Sequence, residues 1–280
     1  MSFSLFNHKR KYMIKNMEEF IHALQGEMAR PGIFSWFHIV ALILIIAATI
    51  LVSLFFYNAS EKVYKRILLI TWISLLILEV IKQVLKSFHY GSPSYWEFSS
   101  ADFPFHICSM IYYVFPVIIF VDKQKHPAIV DAAIGYMSFI CLFTGLAVCF
   151  YTDMVMSNLI FTNVQSLIHH GALVIFGVYI FVWNRKTITI KTFYRTLIAF
   201  AITAVIATII NVIVHPLFIN MFYINPFIIT NLPLGNIVQA NAGYAVYLLC
   251  YLAGITLITF LFYFVETYIY KLVKTKRTDK

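Results

Sequence analysis

Seven apolar runs divide the chain, and short polar stretches separate them. About 20 consecutive apolar residues cross a bilayer as a helix. Lipid offers the backbone no hydrogen-bonding partner, so each run is expected to be helical. The runs cover approximately 34–57, 67–88, 104–121, 128–150, 162–183, 196–219 and 242–265. The pattern therefore predicts an all-α, polytopic membrane protein with seven transmembrane helices.

Composition supports a membrane protein. Of the 280 residues, 61% are hydrophobic and 12% are charged, whereas a soluble domain is about 45–50% apolar and about 25% charged. These values exclude a soluble globular enzyme and a disordered chain. The net charge is +9, and the basic residues flank apolar runs. Membrane lipids are therefore the expected partners, with no nucleic acid, and the oligomeric state stays open.

The distribution of basic residues predicts an orientation. Lysines and arginines occupy the loops between helices 1 and 2, 3 and 4, and 5 and 6, and the C-terminal tail, whereas the loops near 89–103, 151–161 and 220–241 have none. Basic loops stay in the cytoplasm. The C-terminus is therefore expected inside and, with seven helices, the N-terminus outside.

The N-terminal tail does not follow this rule, because it also carries basic residues. Three explanations stay open: a later start at Met13 or Met17, an interfacial amphipathic helix over 17–28, or a helix count that is wrong by one. The four consistent cytoplasmic segments favour seven helices. The predicted organisation is a tail over 1–33, a membrane domain over 34–266 and a basic cytoplasmic tail over 267–280. The basic residues of the N-terminal tail are Lys9, Arg10, Lys11, Lys15 and Arg30.

Polar residues inside the predicted helices are candidates for function, since they are costly in lipid. With this topology they share a depth in the outer half of the membrane and predict a polar pocket that opens outward. Simpler roles also fit. Glu79 and Lys82 can neutralise each other on one helix face, Asn211 can bridge helices, and His215 can lie at a kink before Pro216. The candidate residues are Glu79, Lys82, His106, Cys108, His169, His170, Asn211 and His215.

Cys108 is the candidate nucleophile. Pro104 suits the first turn of a helix, which puts Cys108 near a helix N-terminus, where the dipole favours a thiolate. A histidine of helix 5 at the same depth could take its proton. The competing interpretation is zinc. Residues two apart diverge by about 200° on a helix, and adjacent ones by about 100°, so neither His106 with Cys108 nor His169 with His170 favours a shared metal ion.

No cofactor and no metal are predicted. The other three cysteines lie in apolar runs with no polar neighbours and are expected to be small apolar fillers. No C-x-x-C pair occurs, so a disulfide framework is not expected.

Three short segments carry a family resemblance: Pro104-Phe105-His106-Ile107-Cys108, His170-Gly171, and Asn220-Met221-Phe222-Tyr223 followed by Pro226. The sequence resembles the YwaF-type bacterial integral membrane proteins, which are related to animal transmembrane protein 164. The resemblance implies a multi-pass protein of the bacterial plasma membrane that acts on phospholipids as an acyltransferase or transacylase. It also implies Cys108 as the nucleophile, His170 as the base and His106 as a binding residue.

Two other classes of function remain open at this point. Glu79 and Lys82 could serve a small-molecule transporter as substrate-binding or proton-coupling residues. A non-catalytic sensor could use the same polar pocket to bind a ligand. Whether the protein is an enzyme is therefore left open by the residues alone.

Overall fold

The computed structural model describes residues 16–91, 93–217 and 219–278, and helices form most of this part of the chain. The described residues form nine α-helices: α1 (16–25), α2 (Trp36–Phe56), α3 (Glu61–Lys86), α4 (Ile111–Phe120), α5 (Pro127–Gly135), α6 (Leu142–Phe150), α7 (Ile160–Asn184), α8 (Ile190–Ile213) and α9 (Gly235–Thr278). A π-helical turn, Tyr136–Cys141, joins α5 to α6, and Gly243 interrupts α9 with a φ of 82°.

Short elements connect these helices. Strands β1 (Phe88–His89) and β2 (Tyr95–Trp96) form a small antiparallel hairpin after α3, with Phe88 opposite Trp96. Five 3₁₀ turns occur in the described residues: Ser100–Asp102, Ile107–Met110, Thr152–Met154, His215–Leu217 and Met221–Tyr223.

Six helical segments of the described chain are long and apolar enough to cross a membrane. They are Trp36–Phe56, Glu61–Lys86, Pro127–Phe150, Ile160–Asn184, Ile190–Ile213 and Gly235–Leu272. They coincide with six of the seven predicted runs, so the prediction of a helical multi-pass membrane protein is confirmed. The remaining run, 104–121, contains the shorter apolar helix Ile107–Phe120.

Capping residues explain where the helix boundaries differ from the hydrophobic runs. Ser60 caps α3 and Thr189 caps α8, and each begins its helix about two turns before the apolar run. Several basic residues assigned to loops, such as Lys65 and Lys191, therefore lie in the first turns of these helices. α8 ends at Ile213, because a helix does not continue into Pro216. His215 was predicted near the outer end of this helix, but it lies in the 3₁₀ turn beyond it.

Helix α7 is the centre of the bundle, since most of its residues are buried. Two glycines let neighbouring helices approach it closely. A Cβ on Gly145 of α6 would lie 2.9 Å from the carbonyl oxygen of His170 and 2.7 Å from Cβ of Leu173. A Cβ on Gly171 would lie 2.8 Å from Ile45 of α2. The histidines of α7 are therefore held between tightly packed helices.

The loops gather at two ends of the bundle. At one end the basic loops meet, where Trp183 Nε1 donates to the carbonyl oxygen of Ala59 over 2.9 Å. At the other end Nε2 of His38 lies 2.7 Å from the carbonyl oxygen of Cys149, and Arg30 pairs with Asp153 at 2.9 Å. The N-terminal segment therefore lies at the end of the bundle whose loops lack basic residues.

Helix α1 corresponds to the predicted amphipathic segment 17–28. Ile21 is buried and packs against Leu85 and Phe88, whereas Phe20 and Leu24 are exposed. The helix therefore rests on the end of α3 and the hairpin. Lys9, Arg10, Lys11, Lys15 and the alternative start at Met13 lie outside the described residues. At the other terminus, α9 continues through the predicted boundary at 266 to Thr278.

Candidate functional site

Cys108 lies in the 3₁₀ turn Ile107–Met110, which leads directly into α4. His106 precedes this turn in an extended conformation, with φ −98° and ψ 165°. Cys108 is a free cysteine and the residue is half-buried. Cys141 and Cys149 are free and buried, and Cys250 is free and exposed. Cys108 is therefore a half-buried free cysteine at the start of a helix.

Both histidines of α7 converge on Cys108. Its Sγ and one ring nitrogen each of His169 and His170 all lie within 4.8 Å of one another. The two imidazole rings are T-shaped, with centroids 5.0 Å apart, and both residues are buried. Adjacent His169 and His170 diverge on α7, as helix geometry requires, but Cys108 from another element lies close enough to both for the three ligand atoms to form one cluster.

The hydrogen bonds of His170 fix its tautomer. Nδ1 lies 2.8 Å from the carbonyl oxygen of Ser166 and 3.3 Å from its hydroxyl. A carbonyl oxygen only accepts, so Nδ1 carries the hydrogen and Nε2 keeps a lone pair. His170 therefore has one nitrogen that can accept a proton.

His169 is held at both ring nitrogens. Nε2 lies 3.2 Å from the carbonyl oxygen of Cys108, and Nδ1 lies 3.0 Å from the Tyr112 hydroxyl. That hydroxyl is also 3.1 Å from Oε2 of Glu79. Tyr112 has one phenolic proton and can donate it to His169 or to Glu79, but not to both. The protonation of His169 and the hydrogen bonding of Glu79 are therefore coupled.

Glu79 and Lys82 form the ion pair that their i,i+3 spacing predicts. Nζ lies 2.6 Å from Oε1, and the side chains are 17% and 7% exposed for lysine and glutamate. Gln165 Nε2 donates to Glu79 over 3.3 Å, and Lys82 donates to the carbonyl oxygen of Asp102 over 3.4 Å. The pair thus neutralises itself and also connects to the cysteine–histidine cluster through Tyr112.

His106 and Tyr223 pack against each other and form a wall of the site next to Cys108. Their ring centroids are 5.6 Å apart. His106 lies just before the turn Ile107–Met110, and burial lowers its pKa. Its Nδ1 has no hydrogen-bond partner among the described residues. Burial also raises the pKa of Tyr223, so its hydroxyl remains a neutral donor.

Asn211 supports this wall without joining the cluster. Its side-chain amide donates to the carbonyl oxygen of Met221 over 2.9 Å, and its oxygen accepts from the Met221 N–H over 2.7 Å. These bonds clamp a turn in which Phe222 and Tyr223 have φ of 56° and 61°, a left-handed conformation that costs non-glycine residues energy. His215 packs its ring on Phe227, with centroids 4.2 Å apart.

The comparison with protein families matches the same parts of the chain. The model of the TMEM164 family matches residues 33–264, a range that contains Cys108, both histidines of α7 and the turn at Tyr223. The chain belongs to the TMEM164 family. No curated protein and no solved structure matches it significantly. The relation to transmembrane protein 164 that the sequence resemblance suggested is thereby confirmed.

In this TMEM164 family protein, several residues of the site were not singled out from the sequence. A usable signal was helical spacing, since residues four apart share a helix face. Tyr112 follows Cys108 by four positions, and Ser166 and Gln165 precede the two histidines by four. The missed residues are Tyr112, Gln165, Ser166 and, as a site residue, Tyr223.

A large apolar groove lies on another face of α7. It has a volume of about 640 Å³ and is formed by α2, α3 and α7, with Leu44, Leu78 and Ile168 among its lining residues. Each residue turns a helix by about 100°. His169 and His170 therefore point away from the face that Ile168 and Gly171 give to the groove. The groove is thus separate from the cysteine–histidine cluster.

Proposed function

We propose that this TMEM164 family protein is a membrane-embedded acyltransferase or transacylase of phospholipids. Cys108 carries the acyl group, and His170 moves the proton. The observation that carries the proposal is the hydrogen bond from His170 Nδ1 to the carbonyl oxygen of Ser166. It leaves the Nε2 lone pair free in a cluster where ligand atoms lie within 4.8 Å of one another. A nucleophile and a base of fixed tautomer are the minimum for covalent catalysis.

The first half-reaction acylates the enzyme. His170 Nε2 takes the proton of the Cys108 thiol, and the thiolate attacks the ester carbonyl carbon of a donor phospholipid. A carbon–sulfur bond forms and the ester carbon–oxygen bond breaks. The leaving oxygen takes the proton from His170, so the products are a lysophospholipid and a thioester on Cys108.

The second half-reaction runs the same steps in reverse on another lipid. The hydroxyl of an acceptor lysophospholipid gives its proton to His170 as its oxygen attacks the thioester carbonyl. The carbon–sulfur bond breaks, and the sulfur recovers its proton from His170. No oxidant, metal or cofactor enters the balance of either half-reaction.

The surrounding residues position these groups. His169 binds the carbonyl oxygen of Cys108, so it fixes the backbone that carries the thiol. Tyr112 and the Glu79–Lys82 pair hold His169 in turn. His106 has an unpartnered Nδ1 among the described residues, which suits it to accept a hydrogen bond from a lipid hydroxyl.

The proposal places the site at the outer side of a bacterial plasma membrane. Ile107–Phe120 is then a seventh, short crossing between the six longer ones. The support is the distribution of charge in the loops. The basic loops meet at one end of the bundle, and the loops without lysine or arginine, such as the loop of Asp153, meet at the other end. With the basic end in the cytoplasm, Cys108 lies near the outer ester groups of the lipids.

A trapped thioester tests the proposal directly. The detergent-purified protein is incubated with a phospholipid whose acyl chain carries an alkyne, and the label on protein is measured before and after hydroxylamine. We expect hydroxylamine-sensitive label on Cys108, none in Cys108→Ala, and wild-type label in the exposed-site control Cys250→Ser. Label that persists in Cys108→Ala would contradict the proposed nucleophile. Complete absence of label would favour transport or sensing by the same residues.

A further inference from the structure

We propose that Cys108, His169 and His170 also form a binding site for a thiophilic divalent cation, Zn²⁺ above all, which ties up the Cys108 thiol and holds the protein inactive. The inhibition, but not the binding, rests on the acyl-transfer function proposed above. The site has one sulfur and two imidazole ligands, a combination that suits Zn²⁺ and Co²⁺ and does not suit Mg²⁺ or Ca²⁺.

The distances are within reach of one ion. The three ligand atoms already lie within 4.8 Å of one another. Tetrahedral zinc with sulfur at about 2.3 Å and nitrogen at about 2.0–2.1 Å requires the ligand atoms to approach one another by up to about 1.4 Å. Side-chain rotation of Cys108, which is partly exposed, supplies such a movement. Three protein ligands leave the fourth position open for water.

Each histidine has an oxygen partner at Nδ1, the ring nitrogen that would not bind the ion. A ligating histidine gives its other ring N–H to an oxygen, which fixes the ring and its tautomer. His170 does so from Nδ1 to the carbonyl oxygen of Ser166. His169 can do so from Nδ1 to the Tyr112 oxygen, while Tyr112 donates to Glu79.

Metal binding through Nε2 requires a change of tautomer at His169. Without metal, Nε2 donates to the carbonyl oxygen of Cys108 over 3.2 Å, and Nδ1 accepts the hydrogen of Tyr112. A metal ion lies about 2.0–2.1 Å from a ligating nitrogen, so the carbonyl oxygen of Cys108 must move aside and the ring hydrogen must shift to Nδ1. Tyr112 then accepts from Nδ1 and donates to Glu79.

Metal binding and acyl transfer exclude each other in this site. When Zn²⁺ binds, the sulfur–hydrogen bond of Cys108 breaks, its proton goes to solvent and a zinc–sulfur bond forms. No atom changes oxidation state. The Nε2 lone pair of His170 then binds the metal and no longer serves as a base. A free thiol and a free base, which the transfer requires, return only when the ion leaves.

Cobalt spectroscopy tests the site without any activity assay. The intact protein is purified in detergent, stripped with a chelator and titrated with Co²⁺, which gives a near-ultraviolet charge-transfer band when a thiolate binds it. We expect the band in wild type and in Cys250→Ser, and its loss in Cys108→Ala. Tyr112→Phe should weaken binding by about tenfold to 100-fold, as expected for a residue that orients a ligand.

A second measurement covers the case in which Cys108→Ala fails to fold. In the folded Cys250→Ser protein, Zn²⁺ should protect Cys108 from a maleimide reagent, and Mg²⁺ should not. Absence of the cobalt band in wild type, or equal maleimide reaction with and without Zn²⁺, would overturn the metal site.

Activity separates the two proposals. Zn²⁺ should inhibit acyl transfer and a chelator should restore it; loss of activity on chelation would overturn the inhibitory role. A cobalt site in a protein without acyl transfer would leave the metal site standing and reject the acyltransferase. Acyl transfer without a cobalt site would do the reverse.

Discussion

Tyr112 lies one helical turn after Cys108, and its hydroxyl is 3.0 Å from Nδ1 of His169 on α7. Through this contact the buried pair Glu79–Lys82 reaches the candidate nucleophile, because Tyr112 also touches Glu79 and His169 also touches the backbone of Cys108. The intramembrane ion pair and the cysteine–histidine cluster are therefore one connected network.

Removal of the Tyr112 hydroxyl should slow acyl transfer without loss of the fold. In Tyr112→Phe, His169 loses a partner and the Cys108 backbone loses its rigid support, and misplacement of a nucleophile by about 1 Å costs on the order of 100-fold in rate. We expect a lower kcat with little change in KM, measured in detergent with a fluorescent phospholipid. The thermal unfolding midpoint should fall only slightly, since one hydrogen bond is worth about 1 kcal/mol.

A control variant distinguishes a role of Tyr112 in positioning Cys108 from a general packing defect. Tyr113→Phe is the matched control, because Tyr113 is exposed and its hydroxyl donates to the carbonyl oxygen of Pro104 rather than to the network. It should keep the wild-type kcat. Equal loss of kcat in both variants would argue against a specific role for Tyr112.

Loss of one charge of the Glu79–Lys82 pair should destabilise the protein more than loss of both charges. Glu79→Gln leaves Lys82 charged and unpaired in a buried position, which costs about 3–5 kcal/mol of stability. The double change Glu79→Gln with Lys82→Met removes the stranded charge and should recover most of this loss. Thermal unfolding in detergent measures both. If the double variant unfolds at or below the midpoint of Glu79→Gln, the pair does not neutralise itself as described.

His106 should make the protein sensitive to acid. Burial lowers its pKa from the ordinary value of 6.5, so in acid the unfolded chain binds a proton that the folded chain excludes. Its contribution to stability is complete above pH 6.5 and is lost as the pH falls from there towards the lowered pKa. His106→Asn should therefore show a shallower fall of the unfolding midpoint below pH 6.5. An unchanged slope would place the His106 ring in water rather than in the wall beside Tyr223.

The orientation can be tested with cysteines introduced one at a time into a protein that carries both Cys108→Ala and Cys250→Ser, so that the remaining native cysteines are buried. Glu97 lies in the connection between α3 and α4 at the end of the bundle that holds the site, and Lys125 lies at the basic end. An impermeant thiol reagent added to intact cells should label Glu97→Cys but should label Lys125→Cys only after permeabilisation. The opposite pattern would reverse the proposed orientation and move the site to the cytoplasmic side.

The positions of the helices could be predicted because long apolar runs have few alternatives in lipid. Their ends could not, since Ser60 and Thr189 extend α3 and α8 into sequence that is polar enough to resemble loops. The convergence of Cys108 with the histidines of α7 followed from their shared depth. The role of Tyr112 did not, because a tyrosine within an apolar run looks like a packing residue until a histidine from another helix is placed beside its hydroxyl.

Lipid mass spectrometry on cells that express wild type, Cys108→Ala or Cys250→Ser at equal membrane levels tests the acyl-transfer account most directly. The account predicts a change in the acyl chains of one phospholipid class with wild type and Cys250→Ser, and none with Cys108→Ala. The same change in all three, with Cys108→Ala folded, would contradict the assignment of Cys108 as the residue that carries the acyl group.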